Sequence, residues 1–141
     1  MFAGAGTFST GLRSREVHVA LVVDGRVAVV DADPDLPLSD EARLAREPAR
    51  DALGRLMLLS QGGDGTVELD RARDDLARWG ATRQSGELVA ASGCLAVPIF
   101  DAGGLAAGAV AFSGPRHRVD DPGDVLSALR PAADALAPLM V

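Results

Sequence analysis

The chain has no lysine, a single cysteine and only 4% aromatic residues, and these shortages already exclude several functions. Without lysine a phosphate-binding P-loop cannot be built. Cys94 alone cannot form an internal disulfide or a cysteine zinc site, so stability must come from packing. No apolar run reaches the ~18 residues of a membrane helix. Arg13, Arg15, Glu16 and Asp24 stand where a secretory signal would place an apolar block, so a soluble, cytoplasmic protein is expected. A formal net charge of −6 argues against binding nucleic acid or an anionic membrane, because phosphate contacts rest on clustered cations. The one local cluster, Arg116-His117-Arg118, is followed closely by Asp120 and Asp121. All fourteen cationic residues are arginine, which reads as the codon habit of a GC-rich genome.

What is present suits one globular domain: 141 residues, 48% of them apolar and 24% charged. Residues 1–16 are small, polar and glycine-rich, and read as a loose arm. Residues 17–141 read as the domain. VHVALVV (Val17 to Val23), Asp24-Gly25 and RVAVVDA (Arg26 to Ala32) make a hairpin, since both positions of a two-residue turn need positive φ. Prolines break the chain between Asp33 and Pro37, and Ser39-Asp40-Glu41 could open a short helical turn. A helix is expected over 48–60, with Pro48 in its first turn and Leu53, Leu56, Met57 and Ser60 at helical spacing. A second runs from an N-cap at Thr66 to a C-cap at Gly80, with Leu69, Ala72, Leu76 and Trp79 along one stripe. Cys94 to Phe100 and Leu105 to Phe112, joined by DAGG, form a central hairpin that ends at Ser113-Gly114-Pro115. The last helix starts at an Asp121 N-cap with Pro122 in first position, and Pro131 interrupts or kinks it.

Catalytic constellations are poor. Cys94 opens an apolar strand and reads as a small buried hydrophobe. His18 alternates with Val17 and Val19 and should face a polar side; His117 should be exposed. Neither histidine has metal-ligand spacing. AGAGTFSTG lacks the preceding strand and third glycine of a dinucleotide fingerprint. The aspartates of Arg73-Asp74-Asp75 read as solvated charge. One segment remains, from about Gly86 to Arg118, where Glu87, Ser92, Cys94 and Ser113 alternate with Ala90, Ala91, Gly93, Ala109 and Ala111. Such small residues either leave room for a ligand above a sheet or let a helix pack closely, and both readings stay open.

The string GCLAVPIFDAGGLAAGAVAFSGPRHRV resembles the C-terminal half of the effector-binding domain of the IclR family of bacterial transcriptional regulators. Cys94, Pro98, Phe100, Asp101, Gly104, Ser113, Gly114, Pro115 and Arg118 carry the pattern. Upstream, VHVALVVDGRVAVVD resembles the family's first hairpin and DALGRLMLLS its helix, with Leu53, Gly54 and Arg55 at the core. RARDDLARWGA followed by Glu87 resembles the helix and acidic strand before the cysteine. The resemblance implies an α+β, GAF-like fold, a curved antiparallel sheet with flanking helices and one face forming a pocket for a small organic acid. It implies no catalytic residue, cofactor or metal. Its ligand-contacting positions fall on Ala52, Leu53, Gln84, Ser92, Cys94, Ala111 and Ser113, and it implies a homodimer or homotetramer. Three positions depart: Gln84 replaces an acidic residue, Ala111 a serine and Ala49 a histidine, so a more apolar effector is expected. The family's N-terminal winged helix-turn-helix has no counterpart in this sequence, so this chain should not bind DNA directly. The alternative is a dimerisation module of the same fold that binds no ligand.

Overall fold

A computed structural model describes residues 16–23, 26–29 and 41–140. The expected arm, the Asp24-Gly25 turn, the end of the second strand and the proline break lie outside the described residues, as do Ser39 and Asp40. Five strands form one antiparallel sheet: β1 (Val17–Val23), β2 (Arg26–Val29), β3 (Thr82–Ser85), β4 (Ser92–Phe100) and β5 (Ala106–Pro115). Their order is β2-β1-β5-β4-β3. The two expected hairpins are present, β1 with β2 and β4 with β5, and β5 is central. The helices are α1 (Glu41–Arg46), α2 (Ala52–Ser60), α3 (Val67–Trp79), α4 (Arg116–Asp120) and α5 (Gly123–Leu136). None is long and apolar enough to cross a membrane among the described residues.

The alternation along the central strands divides the core into two unequal layers. Leu95, Val97, Ile99, Val110 and Phe112 pack against Val119 of α4 and Val125, Leu126 and Leu129 of α5. The opposite face carries Ala20, Ala96, Ala109 and Ala111, and these small side chains let Leu44 of α1 and Ala52, Leu53 and Leu56 of α2 lie close to the sheet. Close helix packing is thus what the alanines do over the middle of the sheet. Because both faces are covered, His18 on the α2 face is buried, 1% exposed, and not on a polar side as its alternation suggested. His117 is exposed as expected.

Several boundaries differ from the sequence reading, each for a local reason. Pro48 opens a separate 3-10 turn (Pro48–Arg50), because Asp51 takes an extended conformation and caps α2 with its own side chain. Thr66 and Gly80 cap α3 as expected, the glycine at φ 68°. β3 is an additional strand, four polar residues long, tied down where the Thr82 hydroxyl donates to the Ala52 carbonyl at 2.6 Å. β5 continues through Ser113-Gly114-Pro115, since Pro115 stands at its end opposite Ser92. Arg116 to Asp120, read as the chain beyond a strand end, is helical. Asp121 does not cap α5: Pro122 holds that position without a side-chain bond. Pro131 lies inside α5 without ending it, because Pro131 and the Ser127 turn it would have bonded both face solvent.

Candidate functional site

Register brings three of the expected residues into one row. Gln84 pairs with Cys94 across β3 and β4, and Cys94 with Ser113 across β4 and β5. Beside this row, at the N-terminal end of α2, lies an open cleft of about 210 Å³ lined by Asp51, Gln84, Leu88, Val89, Ser92, Gly93, Cys94 and Ser113. Sharing Asp51, Cys94 and Ser113 with it is a hollow of only about 10 Å³ between α2 and the sheet, also lined by Ala52, Leu53, Leu95, Ala111 and Phe112. The structure therefore gathers all seven residues implied by the resemblance around one place. Gln84, Ser92, Cys94 and Ser113 border the open cleft; Ala52, Leu53 and Ala111 border the hollow. Cys94 is half-buried, not the fully buried hydrophobe its strand context suggested.

The outer wall is the loop 86–91, and it is firmly placed. Gly86 turns it at φ 68°. The Gly86 N–H donates to the Ser92 carbonyl at 2.8 Å, and the Glu87 N–H to Gln84 Oε1 at 3.0 Å. Behind the loop, Arg55 of α2 is 1% exposed and engaged at every nitrogen. Its Nε donates to the Ala49 carbonyl at 2.8 Å, Nη1 to the Arg83 carbonyl at 2.8 Å and Nη2 to Glu87 Oε1 at 2.7 Å. Arg50 Nη2 adds a bond to the Glu87 carbonyl at 3.1 Å. Burial works to raise the Glu87 carboxyl, but the Arg55 hydrogen bond and the charges of Arg55 and Arg71 outweigh it and hold it below the usual range.

On the far side of this anchor lies a charged cleft of about 390 Å³, lined by Arg55, Arg71, Asp74, Asp75, Arg78, Arg83, Ser85, Glu87 and Asp120. Asp75 is not merely solvated charge: it accepts from Arg83 Nε at 3.0 Å. Burial lifts its carboxyl above the usual aspartate range despite that partner. Among the described residues no group of three or more His, Cys, Asp or Glu side chains could hold a metal ion.

Sequence reasoning missed Asp51, Leu88 and Val89. Asp51 carried a usable signal, an acceptor side chain immediately before an apolar helical stripe, but Pro48 offered a competing helix start. Leu88 and Val89 reach the cleft only because the polar strand β3 folds the following loop back over the sheet.

No protein-family model matches the chain, and no curated protein sequence does. Solved structures do. An IclR-family transcriptional regulator from Rhodococcus sp. matches at TM-score 0.63 and 18% identity, over 89% of this chain and 56% of that one. The C-terminal domain of the E. coli regulator KdgR matches at TM-score 0.60 and 16% identity, over 86% of this chain and 84% of that one. The chain therefore shares the fold of these regulators. The inducer-binding domain of PobR from Acinetobacter, a double mutant in complex with 3-hydroxybenzoic acid, shares it at TM-score 0.54 and 17% identity, over 87% of both chains. At such identities the likeness is one of α+β architecture, and this chain spans only 56% of that Rhodococcus regulator and 59% of a second regulator from Rhodococcus sp. RHA1.

Proposed function

We propose that this chain is the small-molecule-sensing and oligomerisation domain of an IclR-type transcriptional regulator, with no enzymatic role. One observation carries the reading: on a fold shared with regulator domains, Gln84, Cys94 and Ser113 stand in a row beside an open cleft. Ala52, Leu53, Gln84, Ser92, Cys94, Ala111 and Ser113 would form its binding surface. The PobR complex supports a ligand of the small-molecule class. Contact with DNA would belong to another part of the regulator, in keeping with a net charge of −6. Self-association as a dimer or tetramer would draw on the apolar end of the sheet, where Phe100 and Leu105 are exposed beside the β4–β5 turn.

The test is a thermal-shift screen of small keto, hydroxy and aromatic acids together with their uncharged analogues. A ligand at ~100 times its dissociation constant adds about 2.7 kcal/mol to stability, enough to raise Tm by several degrees. The second reading, a module that binds no ligand, is favoured by the small volume, about 10 Å³, of the hollow beside Ala111 and Leu53. It gains if no compound shifts the transition.

A further inference from the structure

The amide of Gln84 carries an inference that rests on the sensing reading and narrows its ligand. Gln84 is 4% exposed, yet it lines the cleft, beside its register partner Cys94. The Glu87 N–H meets Gln84 Oε1 at 3.0 Å. A backbone N–H only donates, so the atom it meets is the amide oxygen, and the orientation of the side chain follows. Nε2 then carries two N–H donors and makes no hydrogen bond to a described residue. Leaving such a buried donor unmet costs about as much as losing a hydrogen bond. The donor is also held in place before any ligand arrives, because Glu87 is itself fixed by Arg55 at 2.7 Å and, at its carbonyl, by Arg50 at 3.1 Å.

The surroundings of Nε2 indicate what would meet it. The Ser92 and Ser113 hydroxyls share the lining and make no hydrogen bond among the described residues. No arginine, lysine or histidine belongs to the described lining, so recognition there falls to neutral donors. A carbonyl oxygen has two lone pairs and can accept from an amide and a hydroxyl together. Leu88 and Val89, the latter 61% exposed, offer apolar surface to the rest of such a molecule. The geometry points to Gln84 Nε2 as the donor that selects the ligand: the cleft takes a small molecule with an apolar body and a carbonyl oxygen, and Nε2 donates to that oxygen.

Calorimetric titration of the full chain with ketones and hydrocarbons of matched shape tests this: acetophenone with ethylbenzene, and cyclohexanone with methylenecyclohexane. Each is measured against the unaltered protein and against Gln84→Met, which keeps the bulk of the side chain without its donor; circular dichroism checks that the variant folds. Loss of the Glu87 bond in Gln84→Met weakens ketone and hydrocarbon alike, so the readout is the ratio of their affinities. That ratio is expected to fall about tenfold in the variant. Should Gln84→Met not fold, Gln84→Glu at pH 8 takes its place: it keeps the acceptor for the Glu87 N–H and puts a carboxylate oxygen where Nε2 stood, and the ratio should fall there too. A ratio that stays within about threefold in the folded variant means that water alone meets Nε2. That result overturns the proposal and leaves the sensing reading standing, since the compounds bind. Binding by no member of either pair overturns it as well, and the sensing reading is then decided by the thermal-shift screen alone.

Discussion

Gly54→Ala is expected to destabilise the protein by about 3 kcal/mol, although the same exchange inside an ordinary helix gains up to ~1 kcal/mol. Gly54 is buried in the first turn of α2, where the helix passes over the Pro48–Arg50 turn. A Cβ there would sit 2.0 Å from the Pro48 carbonyl oxygen, 2.5 Å from its carbon and 2.6 Å from its Cα. All three are backbone atoms, so no side-chain rotation relieves the clash. The turn is also held: Pro48 has a fixed φ, and its carbonyl accepts from the Asp51 N–H at 3.2 Å. Moving it displaces Asp51 and with it the rim of the cleft. Urea denaturation reads the effect, and a Gly54→Ala protein as stable as the parent would show that the contact between α2 and this turn is misdescribed.

Arg55→Met carries a comparable cost, about 3 kcal/mol or more, because it removes one partner from a buried charged network. Methionine follows the arginine stem in bulk, so the change tests the guanidinium and not the packing. Three acceptors lose their donor together: the Ala49 and Arg83 carbonyls and Glu87 Oε1. These belong to the segment before α2, to β3 and to the loop 86–91, so the loop should also loosen around the cleft. Arg55→Lys restores a charge but not the planar fork that reaches all three, and it should recover only part of the loss. Chemical denaturation of the two variants decides this; an Arg55→Met protein within about 1 kcal/mol of the parent would reduce Arg55 to a packing residue.

The legible parts of the fold were those written in local chemistry. Asp24-Gly25 between β-branched runs specified the first hairpin, whose strands pair as expected. Thr66 and Gly80 marked the ends of α3 because each acts within one turn of its own position. What was not legible depended on distant partners. Thr82-Arg83-Gln84-Ser85 has neither the length nor the apolar alternation of a strand, and is one because β4 offers an edge and Ala52 an acceptor for Thr82. His18 reads as facing a polar side from its neighbours, but only the helices across the sheet decide that both faces are covered. The candidate site divides the same way. Resemblance supplied the residues, while the row of Gln84, Cys94 and Ser113 is a product of register, and Asp51 entered because helix α2 begins later than Pro48 suggested.

Binding of a small molecule beside this row can be read at Cys94, the only thiol in the chain and a lining residue of both cleft and hollow. The measurement is the rate at which a thiol-reactive disulfide reagent modifies folded protein, with and without the compound giving the largest thermal shift. Saturable protection that follows the bound fraction is expected, with modification about tenfold slower at ten times the dissociation constant. A compound that raises Tm yet leaves the rate unchanged binds somewhere else, and that result would contradict binding beside this row.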